Sequence, residues 1–344
     1  MTNKNTINEQ LKPKDFETDQ DVRWCPGCGD YSILKQTQKV MSELGLQKEE
    51  MVFISGIGCS SRFPYYMDSY GIHGIHGRAP AICTGLVTSR PDLSVWLITG
   101  DGDGLSIGGN HFIHILRRNV NVNMLLFNNE VYGLTKGQYS PTSPQGQKSA
   151  STPQGSLDHP FNPVALAFGA DGTYIARTVD REPRHMRDIL KNSEEHKGTS
   201  FVEIYQNCNV YNDGAFFTFT DKKVRDIHCI FLKDGEPMVF GKENEKGIKL
   251  DGAKPVVVDL NEDSVSKDEL WVHDTKDEFK ASILTRFFDD PKQEGALPRP
   301  FGVFYDVERE CYEDAILGQI QQEKQKKGEG DLDELLRGPS TWEV

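Results

Sequence analysis

The stretch LSVWLITGDGDG covers residues 93–104, and VNMLLFNN follows it at residues 122–129. Both begin with an apolar run without polar alternation, which is typical of a parallel strand buried on both faces of a sheet. Between them, the spacing of apolar residues predicts a helix at about 106–117. This order of strand, glycine turn, helix and strand predicts an α/β protein with a doubly wound, mostly parallel sheet. In such folds, ligands bind at the carboxyl ends of the strands.

The alternation of strands and helices extends outward from this stretch on both sides. The further predicted elements are strands at 51–55, 173–179 and 201–206 and helices at 30–44, 76–89, 161–169 and 183–196. Asp30 is interpreted as the N-terminal cap of the first of these helices. The alternation stops near residue 210. We therefore divide the chain into an N-terminal arm at 1–22, a main domain at 23–210 and a C-terminal extension at 211–344.

The C-terminal extension is predicted to be more irregular than the main domain. A hairpin is expected around residues 233–235, a short strand at 256–260 and a helix near 267–288. The residues from about Gln319 onward are charged and are expected to be partly exposed.

The composition of the 344-residue chain restricts its partners. The chain contains 39 Lys and Arg against 52 Asp and Glu, which gives a net charge of −13. This charge disfavours non-specific binding to nucleic acids and anionic membranes, because both carry phosphate. The sequence has no apolar run long enough for a transmembrane helix and no signal-peptide pattern. We therefore expect a cytoplasmic protein with no nucleic-acid or membrane partner.

Asp101 and Asn129 each follow one of the two buried strands. Their carboxylate and amide oxygens are hard ligands that suit Mg²⁺, which also accepts phosphate oxygens. Gly100 and Gly102 let the backbone approach a diphosphate, and the helix that follows presents its N-terminus to that anion. Either motif alone is an ordinary turn signal. The two together, both after buried strands, predict a magnesium diphosphate site.

Seven cysteines are present, an odd number in a chain without a leader sequence. A disulfide framework is therefore not expected, and reduced thiols or a metal centre remain open. Cys25 and Cys28 form a Cys-x-x-Cys pair, and Cys59 lies in the glycine loop 56–61. Together with distant thiols, such a pair is compatible with an iron–sulfur cluster or a zinc site.

The sequence resembles a known family over about residues 20–240. The pattern GDG followed by NN is that of thiamine-diphosphate enzymes, and five ordered motifs are similar to the β subunits of 2-oxoacid:ferredoxin oxidoreductases. The motifs are WCPGCGD at 24–30, GIGCSSRFPYY at 56–66, HGIHGRAPA at 73–81, GDGDGLSIGGNH at 100–111 and NNEVYGLTKGQ at 128–138. The strings SSRFPYY and IHGRAPA are most similar to the 2-oxoglutarate branch of that family.

The resemblance implies three bound groups and the residues that hold them. Mg²⁺ would be held by the side chains of Asp101 and Asn129 and by the carbonyl of Val131. Thiamine diphosphate would contact Ile57, Gly58, Cys59, Ser60, His76, Gly77, Arg78, Ala79, Gly100, Gly102, Asp103, Gly133 and Leu134. One 4Fe–4S cluster would be held by Cys25, Cys28, Cys59 and Cys208. Cys83, Cys229 and Cys311 have no partner spacing and are interpreted as ordinary thiols.

Arg62 is our candidate for the substrate-binding residue, because an arginine can clamp a carboxylate with two hydrogen bonds. We hypothesise that it binds the distal carboxylate of 2-oxoglutarate, and the alternative is an ordinary surface arginine. His76, Leu134 and Lys136 are further candidates for the catalytic site. Lys136 lies in the loop 135–160, which is rich in Ser, Pro and Gln and is expected either to be disordered or to cover the site.

The function implied by the resemblance is the reversible oxidative decarboxylation of 2-oxoglutarate with coenzyme A to succinyl-CoA and CO₂. Electrons would pass one at a time through the cluster to ferredoxin, and the reverse direction would fix CO₂ as in the reductive tricarboxylic acid cycle. No motif identifies the glutamate that activates the cofactor, which in the family comes from the α subunit. We therefore expect an α₂β₂ heterotetramer with a shared active site and a chain that is inactive alone.

Three alternatives remain open from the sequence. The chain could belong to an enzyme for pyruvate or another 2-oxoacid, or to a non-redox thiamine-diphosphate decarboxylase. The third alternative is a non-catalytic interaction subunit that is stabilised by a structural zinc ion. Metal content and a panel of 2-oxoacids separate them.

Overall fold

The fold is built on one large sheet that begins early in the chain and is completed near its end. A computed structural model describes residues 10–261, 265–291 and 293–342. The strands are β1 (Met51–Ser55), β2 (Tyr70–His73), β3 (Ser94–Gly100), β4 (Val122–Asn128), β5 (Tyr174–Val179), β6 (Thr199–Tyr205), β7 (Cys229–Phe231), β8 (Val239–Phe240), β9 (Lys246–Asp251), β10 (Lys254–Asp259) and β11 (Arg299–Asp306).

The helices connect and cover these strands. The α-helices are α1 (Asp30–Leu44), α2 (Ala79–Ser89), α3 (Gly109–Arg118), α4 (Pro163–Gly169), α5 (Pro183–Glu195), α6 (Phe217–Thr220), α7 (Arg225–His228), α8 (Glu278–Leu284), α9 (Tyr312–Lys327) and α10 (Leu332–Arg337). Short 3₁₀ helices lie at Pro13–Phe16, Lys48–Glu50, Ser60–Tyr66 and Lys267–Glu269, and a π-helical turn lies at Asp103–Ile107. None of the described helices is both long and apolar enough to cross a membrane.

The main sheet has eight strands in the order β2-β1-β3-β4-β6-β5-β11-β7. All neighbouring pairs are parallel except β11 with β5, which is antiparallel. The predicted α/β class with a mostly parallel sheet is therefore confirmed. The predicted apolar runs form strands such as β4 and β6, in which every residue is buried.

Two layers of helices cover the sheet, one on each face. In β3, Val95 and Leu97 pack with side chains of α2, α3 and α4, whereas Trp96 and Ile98 pack with side chains of α1 and α5. Successive side chains of a strand point to opposite faces, so a strand between two layers must be apolar at every position. This requirement explains the apolar runs without alternation.

Small differences from the predicted helices lie close to the glycine turns. The helix predicted from residue 76 begins at Ala79, because Gly77 adopts a left-handed backbone with φ of 68°. The helix predicted from about residue 106 begins at Gly109, after the π-helical turn. Both differences place an irregular turn, instead of regular helix, at the carboxyl edge of the sheet.

The C-terminal extension is partly integrated into the main sheet. β7 and β11 are the last two strands of its order, while β8, β9 and β10 form a separate three-stranded antiparallel sheet. The division of the chain at residue 210 stays a prediction, and the main sheet runs across it. The turn at 233–235 is present, but it connects strands of different sheets and does not form the expected hairpin.

The prediction of one continuous helix near 267–288 is wrong. The structure has a short 3₁₀ helix and then α8, and the residues between them, 270–277, are not helical. Trp271 is buried, and its backbone carbonyl accepts from Met238 N at 2.9 Å while its N–H donates to Ile248 O at 2.8 Å. The backbone groups of Trp271 thus form hydrogen bonds with the small sheet instead of hydrogen bonds within a helix.

The two ends of the chain differ in their packing. Phe16 of the predicted arm is fully buried in the cluster on the α1 face, while residues 1–9 of that arm lie outside the described residues. From Gln319 to Trp342 every described residue is exposed. The exposure of the charged C-terminal end was predicted from the sequence.

Candidate active site

A cavity of about 150 Å³, here the inner cavity, lies at the carboxyl ends of β1, β3 and β4. Loops that follow these strands form its walls. The predicted residues that line it are Ile57, Gly58, Cys59, Ser60, His76, Gly100, Asp101, Gly102, Asp103, Asn129, Val131, Gly133 and Leu134. The structure thus brings the two strand-end motifs and the glycine loop together.

Oxygen ligands for a divalent cation lie on one side of the inner cavity. Asp101 is 3% exposed, and its Oδ2 accepts from Ser140 Oγ at 2.5 Å and from Thr142 Oγ1 at 2.7 Å. Asn129 Oδ1 accepts from Val131 N at 3.1 Å, which holds the turn that carries the Val131 carbonyl. Burial raises the pKa of Asp101. A buried carboxylate beside an amide and a backbone carbonyl fits Mg²⁺.

Gly102 must be a glycine because of an aromatic ring that packs on its turn. A Cβ atom at this position would lie 2.2 Å from Cε1 of Tyr132. The Tyr132 hydroxyl also donates to Gly102 O at 3.1 Å. The turn after β3 is therefore held against the loop after β4, and both loops line the inner cavity.

Asp103 connects the loops around the inner cavity. Its Oδ1 accepts from Ile57 N at 3.0 Å and Gly77 N at 2.8 Å and lies 2.5 Å from His76 Nδ1. Its Oδ2 accepts from Thr99 Oγ1 at 2.7 Å. We predicted that Asp103 lines the diphosphate, and it does line the cavity, but both of its oxygens are engaged by the protein. It therefore braces the loops of Ile57 and Gly77.

Four thiols gather beside the inner cavity. A Cβ at Gly133 would lie 3.6 Å from the sulfurs of both Cys59 and Cys208. Cys28 Sγ accepts from Gln206 Nε2 at 3.1 Å, and Cys25, on the same turn as Cys28, is exposed. The sequence places these cysteines up to 183 positions apart, yet the fold collects them at one end of the sheet.

The electrostatics of the thiols favour a bound metal centre. Burial raises the pKa of Cys59 to about 12 and also raises the pKa of Cys28, and electrostatic interactions with Asp30 and Cys208 add to both shifts. Thiolates in this position therefore require positive charge among them. Within the described residues, no three His, Cys, Asp or Glu side chains are placed to hold one metal ion. A set of four cysteines is the ligand set of an iron–sulfur cluster and also that of a structural zinc site.

A second cavity of about 600 Å³, here the outer cavity, adjoins the inner one. Ile57, Gly58 and Leu134 line both. Arg62 and Arg23 lie in the outer cavity, and the described residues offer Arg62 no ion-pair partner. Asp21 also lines the outer cavity and pairs with Arg23 at 3.3 Å, so Arg62 is the arginine among the described lining residues that remains available to an anion next to the inner cavity.

Some predicted residues lie outside both cavities. Gly77 faces Asp103 through its N–H, and Ala79 is buried as the first residue of α2. Arg78 and Lys136 are exposed and line neither cavity. Hydrogen bonds attach the loop 135–160 to the rest of the fold: Ser140 Oγ donates to Asp101 Oδ2 at 2.5 Å, and a turn in the middle of the loop is closed by Gly146 N to Ser156 O at 2.8 Å.

The sequence did not indicate several residues of the inner cavity. These residues are Asp30, Phe127, Tyr132, Thr135 and Gln206. Asp30 was interpreted as a helix cap, but it is the first residue of α1, and burial raises the pKa of its carboxyl to about 7. Its position directly after the Cys-x-x-Cys turn was the available signal.

Comparison with known proteins places this site in a family. A family model described as the C-terminal TPP-binding domain of thiamine pyrophosphate enzymes matches residues 56–204. The 2-oxoglutarate oxidoreductase subunit KorB of Mycobacterium tuberculosis is 49% identical over 98% of this chain and 90% of its own length. The β subunit of a 2-oxoacid:ferredoxin oxidoreductase from a Sulfolobus species is 40% identical over 65% of this chain and 74% of its own.

A solved structure shows the same similarity in three dimensions. It is the 2-oxoglutarate:ferredoxin oxidoreductase of Magnetococcus marinus with 2-oxoglutarate, coenzyme A and succinyl-CoA bound. One of its chains matches with a TM-score of 0.75 and 32% identity over 97% of both chains. Fold and cavity define a thiamine pyrophosphate-binding enzyme domain. Within that class, the chain belongs to the family of 2-oxoacid:ferredoxin oxidoreductase β subunits, as a subunit of the 2-oxoglutarate type.

Proposed function

We propose that this chain catalyses, together with an α subunit, the oxidation of 2-oxoglutarate with coenzyme A to succinyl-CoA and CO₂. The two electrons of each turnover leave singly to two ferredoxins, and the reaction reverses when reduced ferredoxin is in excess. One observation carries the proposal: a single cavity of about 150 Å³ joins the oxygens of Asp101, Asn129 and Val131 to Cys59. A diphosphate site and a thiol of the proposed redox centre therefore border the same space.

The residues of the inner cavity hold and orient the bound groups. Thiamine diphosphate with Mg²⁺ supplies a stabilised carbanion, and a 4Fe–4S cluster supplies a one-electron acceptor when they are bound. Asp101, Asn129 and the Val131 carbonyl hold Mg²⁺. The thiols Cys25, Cys28, Cys59 and Cys208 hold the cluster.

The outer cavity receives the substrate in this proposal. Arg62 binds the distal carboxylate of 2-oxoglutarate, and the reacting end points past Leu134 into the inner cavity. His76 and Leu134 line the inner cavity. In this proposal they contact the reacting atoms. Lys136 contacts coenzyme A or substrate only if its loop turns toward the cavity.

The inner cavity lacks one group that the chemistry needs. Its described lining contains the carboxylates of Asp30, Asp101 and Asp103 but no glutamate. The α subunit of an α₂β₂ assembly supplies the glutamate that activates the cofactor. Four reduced thiols at one site also suit a reducing compartment, which supports the cytoplasm as the location.

The proposed function is tested by anaerobic purification of the chain with and without its α subunit. We expect the complex to be brown, to contain iron, sulfide and thiamine diphosphate, and to reduce ferredoxin with 2-oxoglutarate and coenzyme A. The isolated chain should bind thiamine diphosphate weakly and turn over nothing. Zinc in place of iron would indicate the interaction subunit, and turnover without iron would indicate a non-redox decarboxylase. Full turnover by the isolated chain would refute the shared site.

Replacing Arg62 with alanine is expected to lower kcat/KM for 2-oxoglutarate by roughly 30-fold, because a charge-assisted hydrogen bond to a carboxylate contributes about 2 kcal/mol. The value for pyruvate, which lacks the distal carboxylate, should change little. Steady-state assays of the complex with both 2-oxoacids measure this difference. Arg90→Ala, which removes an exposed arginine paired with Asp92, is the matched control. An equal loss on both substrates would mean that Arg62 does not determine specificity.

A further inference from the structure

The loop that follows β4 turns back onto the side chain proposed to hold Mg²⁺. Ser140 and Thr142 both donate to Oδ2 of Asp101, at 2.5 and 2.7 Å. Each of these two residues is only 2% exposed. Two hydroxyl groups on one carboxylate oxygen restrict the orientation of the carboxylate plane.

The same loop segment also holds the turn that carries the other two proposed ligands. Ser143 Oγ donates to Glu130 O at 2.6 Å and accepts from Ser140 N at 2.7 Å. Glu130 lies between Asn129 and Val131 in the chain. Residues 140–143 therefore bond to both parts of the site, the turn after β3 and the turn after β4.

Thr142 occupies the centre of this arrangement. Its Oγ1 lies 2.7 Å from Asp101 Oδ2 and 2.9 Å from Asn128 Oδ1. A hydrogen bond from Asn128 Nδ2 to Glu203 Oε1, at 2.8 Å, orients the Asn128 side chain. Glu203 is fully buried. The hydroxyl has one proton, which is shared between these two acceptors, and its position between them links the end of β4 to Asp101.

We propose that Ser140 and Thr142 are positioning residues for Mg²⁺ and that they couple the folded position of the loop 135–160 to cofactor loading. The proposal rests on the proposed function, since it concerns the magnesium diphosphate site. The loop fixes Asp101 and the turn 129–131 in the arrangement that binds the cation. Because binding linkage is reciprocal, a bound cation must then stabilise the loop in its folded position.

The first readout is the Mg²⁺ requirement for cofactor retention, measured on the complex with its α subunit. Thr142→Val keeps the shape of the side chain and removes the hydroxyl. We expect it to raise the Mg²⁺ concentration for half-maximal retention of thiamine diphosphate by about 10-fold, since hydrogen-bond partners of metal-binding residues affect affinity to this degree. Thr142→Ser restores the hydroxyl and should behave as the wild type.

The second readout is proteolysis of the loop, which does not depend on activity. Lys148 is exposed and is the one tryptic site between Lys136 and Arg177. In the wild type, Mg²⁺ with thiamine diphosphate should slow cleavage at Lys148, as followed by mass spectrometry of the released peptide. In Thr142→Val this protection should be largely lost.

Two further variants serve as controls. Thr152→Val makes the same substitution in the same loop and should leave both readouts unchanged, because the Thr152 hydroxyl contacts the Ser149 hydroxyl at 2.7 Å and no group of the magnesium site among the described residues. Ser140→Ala removes the other hydroxyl that contacts Asp101. It provides the same test if Thr142→Val does not fold. If both Thr142→Val and Ser140→Ala showed the Mg²⁺ dependence and the protection at Lys148 of the wild type, the proposed coupling would be wrong. The proposed function would not be affected by that result. Failure of the wild-type complex to retain thiamine diphosphate with Mg²⁺ would overturn the proposed function as well.

Discussion

Replacing Cys208 with serine is expected to remove iron and sulfide from the enzyme and to lower ferredoxin reduction by roughly a hundredfold or more. The Cys208 sulfur lies as close as that of Cys59 to the Cβ position of Gly133, at the border of the inner cavity. Without this thiolate the cluster would have three cysteine ligands instead of four, and a serine hydroxyl is a much weaker ligand for iron. Iron and sulfide analysis, visible absorption and ferredoxin reduction measure the effect.

Cys83→Ala is the matched control for this prediction. Cys83 is fully buried in the apolar cluster on the α2 face, away from the other thiols. Its replacement should cost about 1 kcal/mol of the free energy of unfolding and leave the iron content unchanged. A Cys208→Ser enzyme with full iron content would contradict the assignment of this thiol.

Replacing Asp101 with asparagine is expected to abolish the Mg²⁺-dependent retention of thiamine diphosphate and to lower kcat/KM by roughly 10²–10³-fold. The change keeps the shape of the side chain but removes its negative charge, which attracts the cation. Iron content should remain, because the thiols are not altered. Thiamine diphosphate per chain and steady-state kinetics of the complex provide the measurement.

Asp92→Asn makes the same substitution at an exposed carboxylate that is paired with Arg90. It should leave cofactor content and turnover as in the wild type. If Asp101→Asn retained thiamine diphosphate at wild-type Mg²⁺ concentrations, the cation would be held by other residues. Comparison of the Asp101 and Cys208 variants also separates the two bound groups, since each should lose one and keep the other.

The sequence predicted those parts of the site that depend on local pattern. Asp101 and Asn129 directly follow apolar runs, and parallel strands bring their carboxyl ends to one edge. The Cys25-x-x-Cys28 turn is likewise local. These residues could be assigned because a short stretch of sequence determines where each of them lies.

The parts that escaped prediction depend on contacts between distant segments. Thr142 reaches Asp101 across 41 positions, and Gln206 reaches Cys28 across 178. A threonine in a polar loop, or a glutamine at the end of a strand, carries no pattern that distinguishes a buried hydrogen-bond donor from an exposed one. The 270–277 segment was assigned to a helix for a similar reason, because its pairing with the small sheet is set by tertiary packing.

The position of β11 has a consequence for how the protein is made. This strand, at Arg299–Asp306, lies between β5 and β7 in the main sheet, although β5 ends at Val179. Until the ribosome has synthesised residue 306, the edge of β5 has no partner, and unpaired strand edges promote aggregation. Successful biogenesis therefore requires that the nascent chain keep this edge protected while more than a hundred residues are still being added.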